Sequence, residues 1–248
     1  MTTAKVSGSP QDGGCQGTVK VIKPVTGARW AAQSESYANL IAEHLNSRSR
    51  WLDSGCGERI LEGNLEPLED WLVQQCGTVT GMDICLTGHR NIQRLVCGSL
   101  YEMPFPDSSF DLVTCNMVME HLDRPERAVA EITRVLTSGG AVVINTPNLW
   151  NYGVVANAIA SKLLPEGWRL RLVHSSDSRE TEEIFPVRYR ANTFRRLINL
   201  LSASGLKVHK AFKLPQQGPF FRKTAKLEGV LVKLTPSSRL LVCAHKQE

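Results

Sequence analysis

Long hydrophobic runs are missing from this sequence. The longest purely aliphatic run is Ala141-Val142-Val143-Ile144, whereas a membrane-spanning helix needs about 20 apolar residues. The first residues also lack the positively charged start and the apolar stretch of a secretory signal. We therefore expect a chain that is neither exported nor anchored by a membrane helix, and we expect it in the cytoplasm.

Paired cysteines are absent as well. The seven cysteines are an odd number, and none of them belongs to a Cys-x-x-Cys pair. The histidines likewise show no spacing typical of a metal motif. The sequence therefore predicts reduced cytosolic thiols, and neither a disulfide framework nor a zinc motif. The residues in question are Cys15, Cys56, Cys76, Cys85, Cys97, Cys115 and Cys243, with His44, His89, His174, His209 and His245.

What the chain does have is an ordinary globular composition with an uneven charge. Hydrophobic residues make up 42% of its 248 residues and charged residues 21%, which excludes a disordered or fibrous protein. Residues 1–150 carry 12 Lys+Arg and 17 Asp+Glu, whereas residues 151–248 carry 17 and 7. The basic second half therefore predicts an anionic partner.

Apolar segments alternate between strand-like and helix-like patterns. This alternation predicts a parallel, doubly wound sheet. The predicted strands are Arg50–Asp53, Thr78–Asp83, Gln93–Cys97, Phe110–Asn116 and Ala141–Asn145, then Leu206–Phe212 and Arg239–His245. The predicted helices are Trp30–Leu45, Leu65–Gln75, one that has Asp123 as its N-cap and Leu136 on its apolar face, and one that follows Thr193 and stops at Gly205.

The same pattern divides the chain into segments. Residues 1–27 are rich in Gly, Ser and Thr and predict a flexible N-terminal tail. A single domain is expected over residues 28–248. Within it, residues 48–148 form the ligand-binding core, residues 149–191 cover the substrate, and residues 192–248 supply a closing helix and closing strands.

A glycine turn follows the first predicted strand, in the sequence Asp53-Ser54-Gly55-Cys56-Gly57. Ligands of open α/β sheets bind at the carboxyl ends of the strands. The nicotinamide fingerprint needs a third glycine where Ile60 stands, and the Asp53 carboxylate would repel a pyrophosphate. An acid at this place suits a ligand with an ammonium and a sulfonium group, and Asp83 after the second strand can accept two ribose hydroxyls. These features favour S-adenosylmethionine over NAD.

At this point the sequence resembles the class I S-adenosylmethionine-dependent methyltransferases, in their broad small-molecule group. The resemblance covers about residues 48–148, with a weaker match at 190–205. It implies a Rossmann-like α/β fold, doubly wound, with a mostly parallel seven-stranded sheet and helices on both faces. The segments that carry it, in the family's order and spacing, are Leu52–Gly57, Gly81–Ile84, Met103–Val113, Glu120–Leu122, Glu131–Gly140 and Ile144–Asn148.

The resemblance also implies which residues bind the cofactor. Asp53, Gly55, Cys56 and Gly57 would line its methionine end, and Asp83 would hold the ribose. The adenine would lie against Ile84, with Ser99 and Leu100 beside it, and Asn116 would meet the methionine or the substrate. Two positions depart from the family: Ser99 stands where an acid is usual, and Arg59 where a third glycine often follows.

The pair Glu120-His121 is the candidate catalytic feature. A histidine near the reactive end of the cofactor can accept a proton from a hydroxyl substrate, although a role in shaping the neighbouring loop is the alternative. Some quinone O-methyltransferases of the group carry a further acid three residues before this pair and hold a divalent ion. Met117 occupies that position here, and a thioether is a poor ligand for a hard cation, so we expect no metal.

These observations predict methyl transfer to a small-molecule, sugar-linked or lipid-linked acceptor, anionic and methylated at oxygen. The alternatives are a regulator or subunit that binds the cofactor without methylating, and a nicotinamide oxidoreductase; no nucleic-acid partner is expected. Peripheral membrane contact is a hypothesis for residues 220–234, which mix basic and apolar side chains. The residues expected to meet the acceptor are Trp150, Tyr152, Trp168, Arg169, Arg171, Arg188, Tyr189 and Arg190.

Overall fold

A twisted sheet of seven strands organises the molecule. In the computed structural model, which describes residues 31–62, 65–86, 88–151, 186–215 and 237–247, the strand order is β3-β2-β1-β4-β5-β7-β6. The strands are β1 (Arg50–Ser54), β2 (Thr78–Asp83), β3 (Arg94–Cys97), β4 (Phe110–Asn116), β5 (Leu136–Pro147), β6 (Leu206–Pro215) and β7 (Ser237–Lys246). β7 alone runs opposite in direction to the other six strands. The expected mostly parallel, doubly wound sheet is therefore confirmed.

Four α-helices flank the sheet in the described part of the chain: α1 (Ala31–Ala42), α2 (Glu66–Gln75), α3 (Pro125–Val135) and α4 (Phe194–Ala203). Neighbouring strand residues point to opposite faces, and both faces are apolar. Leu52 and Val113 therefore join a core with α3 and α4. Trp51 and Leu112 join a second core with α1 and α2. This arrangement confirms helices on both faces of the sheet.

The start of α3 differs from the expectation. Asp123 is not its N-cap: the cap residue is Arg124, and Pro125 is the first helical residue, a position that suits a proline because its missing N–H would have no helical partner. The backbone N–H of Asp123 donates to the Tyr101 hydroxyl instead. Leu136 lies in β5 and not on the helix, although its side chain is buried in the same core.

The second half of the described chain follows its sequence signals closely. Thr193 caps α4 by accepting a hydrogen bond from the backbone N–H of Arg196, and Gly205 ends the helix with a φ of 81°. Both closing strands form where they were predicted, and each is a few residues longer. No helix in the described ranges is long and apolar enough to cross a membrane.

The packing of α4 leads to a first prediction. Leu197 is completely buried in the core between α4 and the sheet. Leu197→Ala should lower the free energy of unfolding by about 2–5 kcal/mol, because it removes apolar contacts and leaves a cavity. Asn199 is exposed on the same helix, so Asn199→Ala should change it by less than about 0.5 kcal/mol. Chemical denaturation measures both values, and equal effects would contradict the packing described.

Candidate active site

The glycine turn at the end of β1 has a left-handed backbone conformation at both of its glycines. Gly55 and Gly57 have φ angles of 72° and 50°, which side chains rarely adopt. A Cβ on Gly55 would overlap the Val118 side chain, whereas a Cβ on Gly57 would have no atom within 4 Å. The turn is anchored by the Ser54 hydroxyl, which donates to the Thr114 carbonyl at 2.7 Å. Its backbone therefore borders open space at Gly57.

The end of β2 lies directly against this turn. The N–H groups of Gly55 and Cys56 donate to the Met82 carbonyl at 2.7 and 3.2 Å, and the N–H of Gly57 donates to the Asp83 carboxylate at 3.0 Å. The other oxygen of Asp83 accepts from the N–H of Cys85 at 3.2 Å. A carboxylate has about four acceptor positions, so Asp83 retains capacity for two hydroxyl donors.

The residues assigned to the adenine follow β2 and β3. Ile84 directly follows β2 and is 52% exposed, so its side chain is accessible to a ligand. Ser99 comes next to it in space because the N–H of Gly98 donates to the Asp83 carbonyl at 2.9 Å. The Ser99 hydroxyl accepts from the N–H of Tyr101, and Leu100 is buried. The adenine roles of these three residues stay predictions.

Asp53 is buried beneath the turn. Only 2% of it is exposed, and its carboxyl accepts the Thr114 hydroxyl proton at 2.6 Å. Burial raises the pKa of Asp53 to about 7, against the opposing effect of the Thr114 hydrogen bond. A cation placed beside this group favours its charged form. Asp53 therefore has the chemistry to respond to an ammonium or sulfonium group by releasing a proton.

Cys56 contributes its backbone to the turn, and its thiol is not reactive. It is 2% exposed, and its sulfur lies 2.9 Å from where Gly81 would carry a Cβ. Burial raises the pKa of its thiol to about 12, so the thiol is neutral at physiological pH. Gly81 in β2 has no side chain and thus leaves space for the Cys56 side chain under the turn.

Asn116 is the last residue of β4 and lies at the edge of the candidate site. Its amide donates to the Ile60 carbonyl at 3.2 Å and accepts from Asn145 at 2.8 Å. The following residue, Met117, has a φ of 56°, and its N–H donates to the Asn145 carbonyl. Left-handed backbone at a residue other than glycine is uncommon and concentrates at functional sites.

The expectation that no metal takes part in the reaction stays a prediction.

The Glu120-His121 pair lies in a 3-10 turn, Met119–His121, just after β4. The Glu120 side chain is 3% exposed and lies 3.9 Å from the ring of His121, which is 32% exposed. Thr146 donates its hydroxyl to the Glu120 carboxyl at 3.0 Å, and burial raises the pKa of Glu120 to about 7. Of the pair, His121 is exposed enough to contact an acceptor, whereas the Glu120 side chain is buried next to it. Both catalytic assignments stay predictions.

The structure adds polar partners that sequence reasoning missed. Thr114 supports Asp53, and Asn145 supports Asn116. Asn192 donates to the Thr146 hydroxyl at 2.6 Å and so extends the support of Glu120. Their common signal is a polar side chain that is fully buried or nearly so. In the sequence, Thr114, Asn145 and Thr146 interrupt otherwise apolar strands, a pattern that marks them for hydrogen bonding inside the protein.

Two arginines that were predicted to meet the acceptor contact one acid; their role toward an acceptor stays a prediction. Arg188 and Arg190 lie 3.9 and 3.7 Å from the same carboxylate oxygen of Asp123. The backbone N–H groups of Arg188 and Tyr189 donate to the Glu120 carbonyl at 2.6 and 3.0 Å, which fixes this segment beside His121. Outside the described residues lie the tail at 1–27, Tyr152, Trp168, Arg169, Arg171 and the whole segment 220–234.

Comparison with known proteins agrees with this geometry. Residues 52–144 match the family model described as a methyltransferase domain. This part of the chain is a class I S-adenosylmethionine-dependent methyltransferase domain, and its cofactor is S-adenosylmethionine. The interpretation as a nicotinamide oxidoreductase is thereby set aside.

Curated relatives match over part of their length. An uncharacterized methyltransferase of Schizosaccharomyces pombe is 28% identical over 127 residues, 46% of each chain. The ubiquinone biosynthesis O-methyltransferase of Pseudomonas fluorescens is 28% identical over 52% of this chain and 60% of its own. The demethylmenaquinone methyltransferase of Symbiobacterium thermophilum is 30% identical over 40% and 43%. The matches span about half the length of these relatives.

Solved structures share the fold at low identity. Geranyl diphosphate C-methyltransferase of Streptomyces coelicolor superposes with a TM-score of 0.55 at 15% identity, covering 86% of this chain and 77% of that one. The [4+2]-cyclase SpnF gives a TM-score of 0.54 at 14% identity, covering 89% and 84%. These likenesses extend over most of the chain and concern the fold alone.

The burial of Glu120 generates a prediction about pH. The pKa of Glu120 is about 7 in the folded protein, whereas 4.5 is the ordinary value for a glutamate. Between these pH values the folded state therefore binds more protons, and stability falls as pH rises. Glu120→Gln stays neutral and can still accept the Thr146 hydroxyl. Its stability relative to wild type should therefore rise by up to about 3 kcal/mol from pH 4.5 to 7, as measured by denaturation at several pH values.

A matched control separates this effect from a general loss of charge. The Glu102 side chain is 87% exposed, so Glu102→Gln should show a stability difference from wild type that changes little over the same range. A stability difference for Glu120→Gln that is independent of pH would contradict a raised pKa at Glu120.

Proposed function

We propose that this protein transfers the methyl group of S-adenosylmethionine to a small-molecule acceptor. The observation that carries the proposal is the junction between Gly57 and Asp83: an open left-handed glycine turn whose amide holds the carboxylate of the neighbouring strand. This junction suits a ligand that combines an amino-acid end with a ribose. The methyltransferase domain match over residues 52–144 supports the same conclusion.

The chain's own residues supply binding and orientation. When bound, S-adenosylmethionine would supply an electrophilic methyl group on its sulfonium sulfur; the acceptor atom bonds to that methyl carbon as the carbon–sulfur bond breaks, and the sulfur leaves as the neutral thioether of S-adenosylhomocysteine. In this proposal Asp53 stabilises the positive end of the cofactor, Asp83 accepts the ribose hydroxyls, and the exposed Ile84 packs on the adenine. Charge is neutralised as the methyl group moves, so alignment of the reactants and exclusion of water contribute most to the rate.

The acceptor is proposed to be anionic. Arg188 and Arg190 share the single carboxylate of Asp123, which leaves a positive local charge beside the turn that carries His121. Guanidinium groups bind carboxylates and phosphates through paired hydrogen bonds. Both arginine side chains are about half exposed or more, so an incoming anion can contact them without desolvating a buried pair.

Methylation at oxygen and a lipid-linked acceptor belong to the same proposal. The partly exposed ring of His121 is placed to accept the proton of a hydroxyl acceptor. The names of three similar proteins refer to ubiquinone, demethylmenaquinone and geranyl diphosphate, and all three of these compounds carry isoprenoid chains. A hydroxylated or anionic isoprenoid is therefore the class of acceptor that we propose to test first.

A second function is a cofactor-binding protein that does not methylate. Two observations favour it: Arg59 replaces a usual glycine and pairs with Glu66 at 3.5 Å, and Ser99 replaces a usual acid. A structural neighbour is moreover named as a cyclase, and a shared fold does not by itself fix the chemistry. Direct measurement of methyl transfer separates the two functions.

The ribose assignment gives a prediction about cofactor affinity. Asp83→Asn keeps one oxygen for the Gly57 amide but removes the charge that strengthens hydrogen bonds to two hydroxyls. Such bonds are worth about 1.5–3 kcal/mol each, so the dissociation constant for S-adenosylmethionine should rise about tenfold or more. Titration calorimetry measures it directly.

The control for this variant is Asp107→Asn. Asp107 is an exposed acid that contacts Arg134 at 2.9 Å and lies in the loop before β4. Its variant should bind S-adenosylmethionine like the wild type. Unchanged affinity in a folded Asp83→Asn protein would remove Asp83 from the cofactor site.

The methyl-transfer proposal is tested with labelled cofactor. Protein is incubated with methyl-labelled S-adenosylmethionine and a metabolite extract separated into anionic and neutral fractions, with hydroxylated isoprenoids as defined acceptors. We expect label in the anionic fraction. His121→Gln should lower turnover by about 10²–10⁴, the usual contribution of a general base, with little change in cofactor affinity because the ring lies outside the glycine turn.

Each outcome of this assay has a definite meaning. Cofactor binding without transfer to any fraction favours the non-methylating function. Label confined to neutral products overturns the anionic acceptor. Full turnover by His121→Gln on the identified acceptor shows that His121 only shapes the loop.

A further inference from the structure

Three candidate metal ligands meet where the turn after α1 contacts β7, away from the glycine turn. His44 follows the end of α1, and Cys243 and His245 are two residues apart on β7 and therefore share one face of the sheet. Their ligand atoms all lie within 4.8 Å of one another. Nothing in the methyl-transfer chemistry described above uses them.

The separations are close to those of a coordination sphere. The Nε2 atom of His44 lies 3.2 Å from the Cys243 sulfur, and the Nε2 atom of His245 lies 3.9 Å from it. In a tetrahedral zinc site, bonds of about 2.0–2.3 Å hold neighbouring ligand atoms about 3.5 Å apart. Small side-chain rotations therefore suffice to bring the three atoms onto one ion.

The protonation of the cluster also suits a metal. An imidazole coordinates a metal ion as a neutral ring through one nitrogen lone pair. Burial raises the pKa of the Cys243 thiol to about 11. A bound metal ion deprotonates such a thiol, so binding forms one sulfur–metal and two nitrogen–metal bonds and releases one proton to solvent.

Groups from the neighbouring elements surround the cluster. His209 of β6 stacks on His245, with ring centroids 4.2 Å apart. It falls at an irregularity in the β6–β7 register between Val208 and Lys210, and such bulges re-aim side chains. Glu43 and Lys210 form an ion pair of 2.6 Å next to the cluster. The Glu43–Lys210 ion pair is neutral overall, so it adds no net charge beside the three ligands.

The cluster is separate from the cofactor site along the strands. Val143 of β5 pairs with Cys243 and Ala141 pairs with His245, while Asn145, at the level of the cofactor edge, pairs with Leu241. At about 3.3 Å per residue, His245 lies about 13 Å from that edge. The cluster thus lies toward the opposite end of the sheet.

We propose that His44, Cys243 and His245 form a binding site for Zn²⁺ or a similar borderline metal ion. The mixture of one sulfur and two imidazole ligands matches this class of ion and disfavours Mg²⁺ and Ca²⁺. Because His44 follows α1 and the other two ligands belong to β7, the bound ion cross-links the end of the helix to the sheet. Its role is structural, and it operates whether or not the protein methylates.

Cobalt serves as the spectroscopic probe. The full chain, without a histidine tag and reduced by a phosphine, is titrated with Co²⁺ and then with Zn²⁺. We expect one Co²⁺ per chain, a thiolate-to-cobalt charge-transfer band, visible bands of a four-coordinate ion, and their loss when Zn²⁺ displaces Co²⁺. Zn²⁺ should also raise the melting temperature, since an ion that binds only the folded state stabilises it.

Three variants make the experiment specific. Cys243→Ser should abolish the charge-transfer band, and His245→Gln, on a half-buried strand position, should weaken Co²⁺ binding by more than about tenfold. Cys76→Ser is the matched control, because Cys76 is a half-buried free cysteine that only donates to the Val73 carbonyl; it should behave like the wild type. Circular dichroism shows that each variant is folded.

The proposal fails on either of two results. One is the absence of the charge-transfer band in the wild-type protein, which would leave a sulfur–imidazole hydrogen bond as the whole interaction. The other is wild-type affinity for Co²⁺ in a folded His245→Gln protein.

Discussion

Parallel pairing of β1 with both β2 and β4 is the constraint on which the candidate active site depends. Asp53 of β1 pairs with Gly81 on one side and with Thr114 on the other. Because the pairing is in register, the carboxyl ends of the strands reach the same edge, and the turn after β1 meets Asp83 without any long-range loop. A shift by one residue would turn Asp53 toward the opposite face and break its bond to Thr114.

Buried acids lie beneath and beside this edge. Asp53 and Glu120 are each 2% exposed, each accepts one threonine hydroxyl, and burial raises each pKa to about 7. Their cost to stability at neutral pH is a reason to regard them as functional, since perturbed acids cluster at active sites. They differ in position: Asp53 lies under the glycine turn after β1, and Glu120 lies beside His121 in the turn after β4.

Much of the fold could be predicted because its signals are local. Thr193 and Gly205 bound α4 by side-chain capping and a left-handed φ, both readable from residue type. The start of α3 could not be placed exactly, because Asp123 and Arg124 both precede Pro125, and in the fold the backbone N–H groups of both donate to the Tyr101 hydroxyl, a tertiary contact that no local pattern contains. In the same way, the length of β5 depends on pairing with β4 and β7, which no window of sequence contains.

For the candidate site, the sequence alone determined the cofactor class and predicted the residues that line it. Gly55, Gly57 and Asp83 are recognisable because the backbone conformation and the charge they supply belong to the residue types themselves. The tertiary structure decided what lies behind them: Thr114 under Asp53, and Thr146 with Asn192 behind Glu120. It alone assembled His44, Cys243 and His245, since 199 positions separate the first two of these residues. Local spacing carries no information about such a contact, because only the tertiary fold brings the turn after α1 against the antiparallel strand β7.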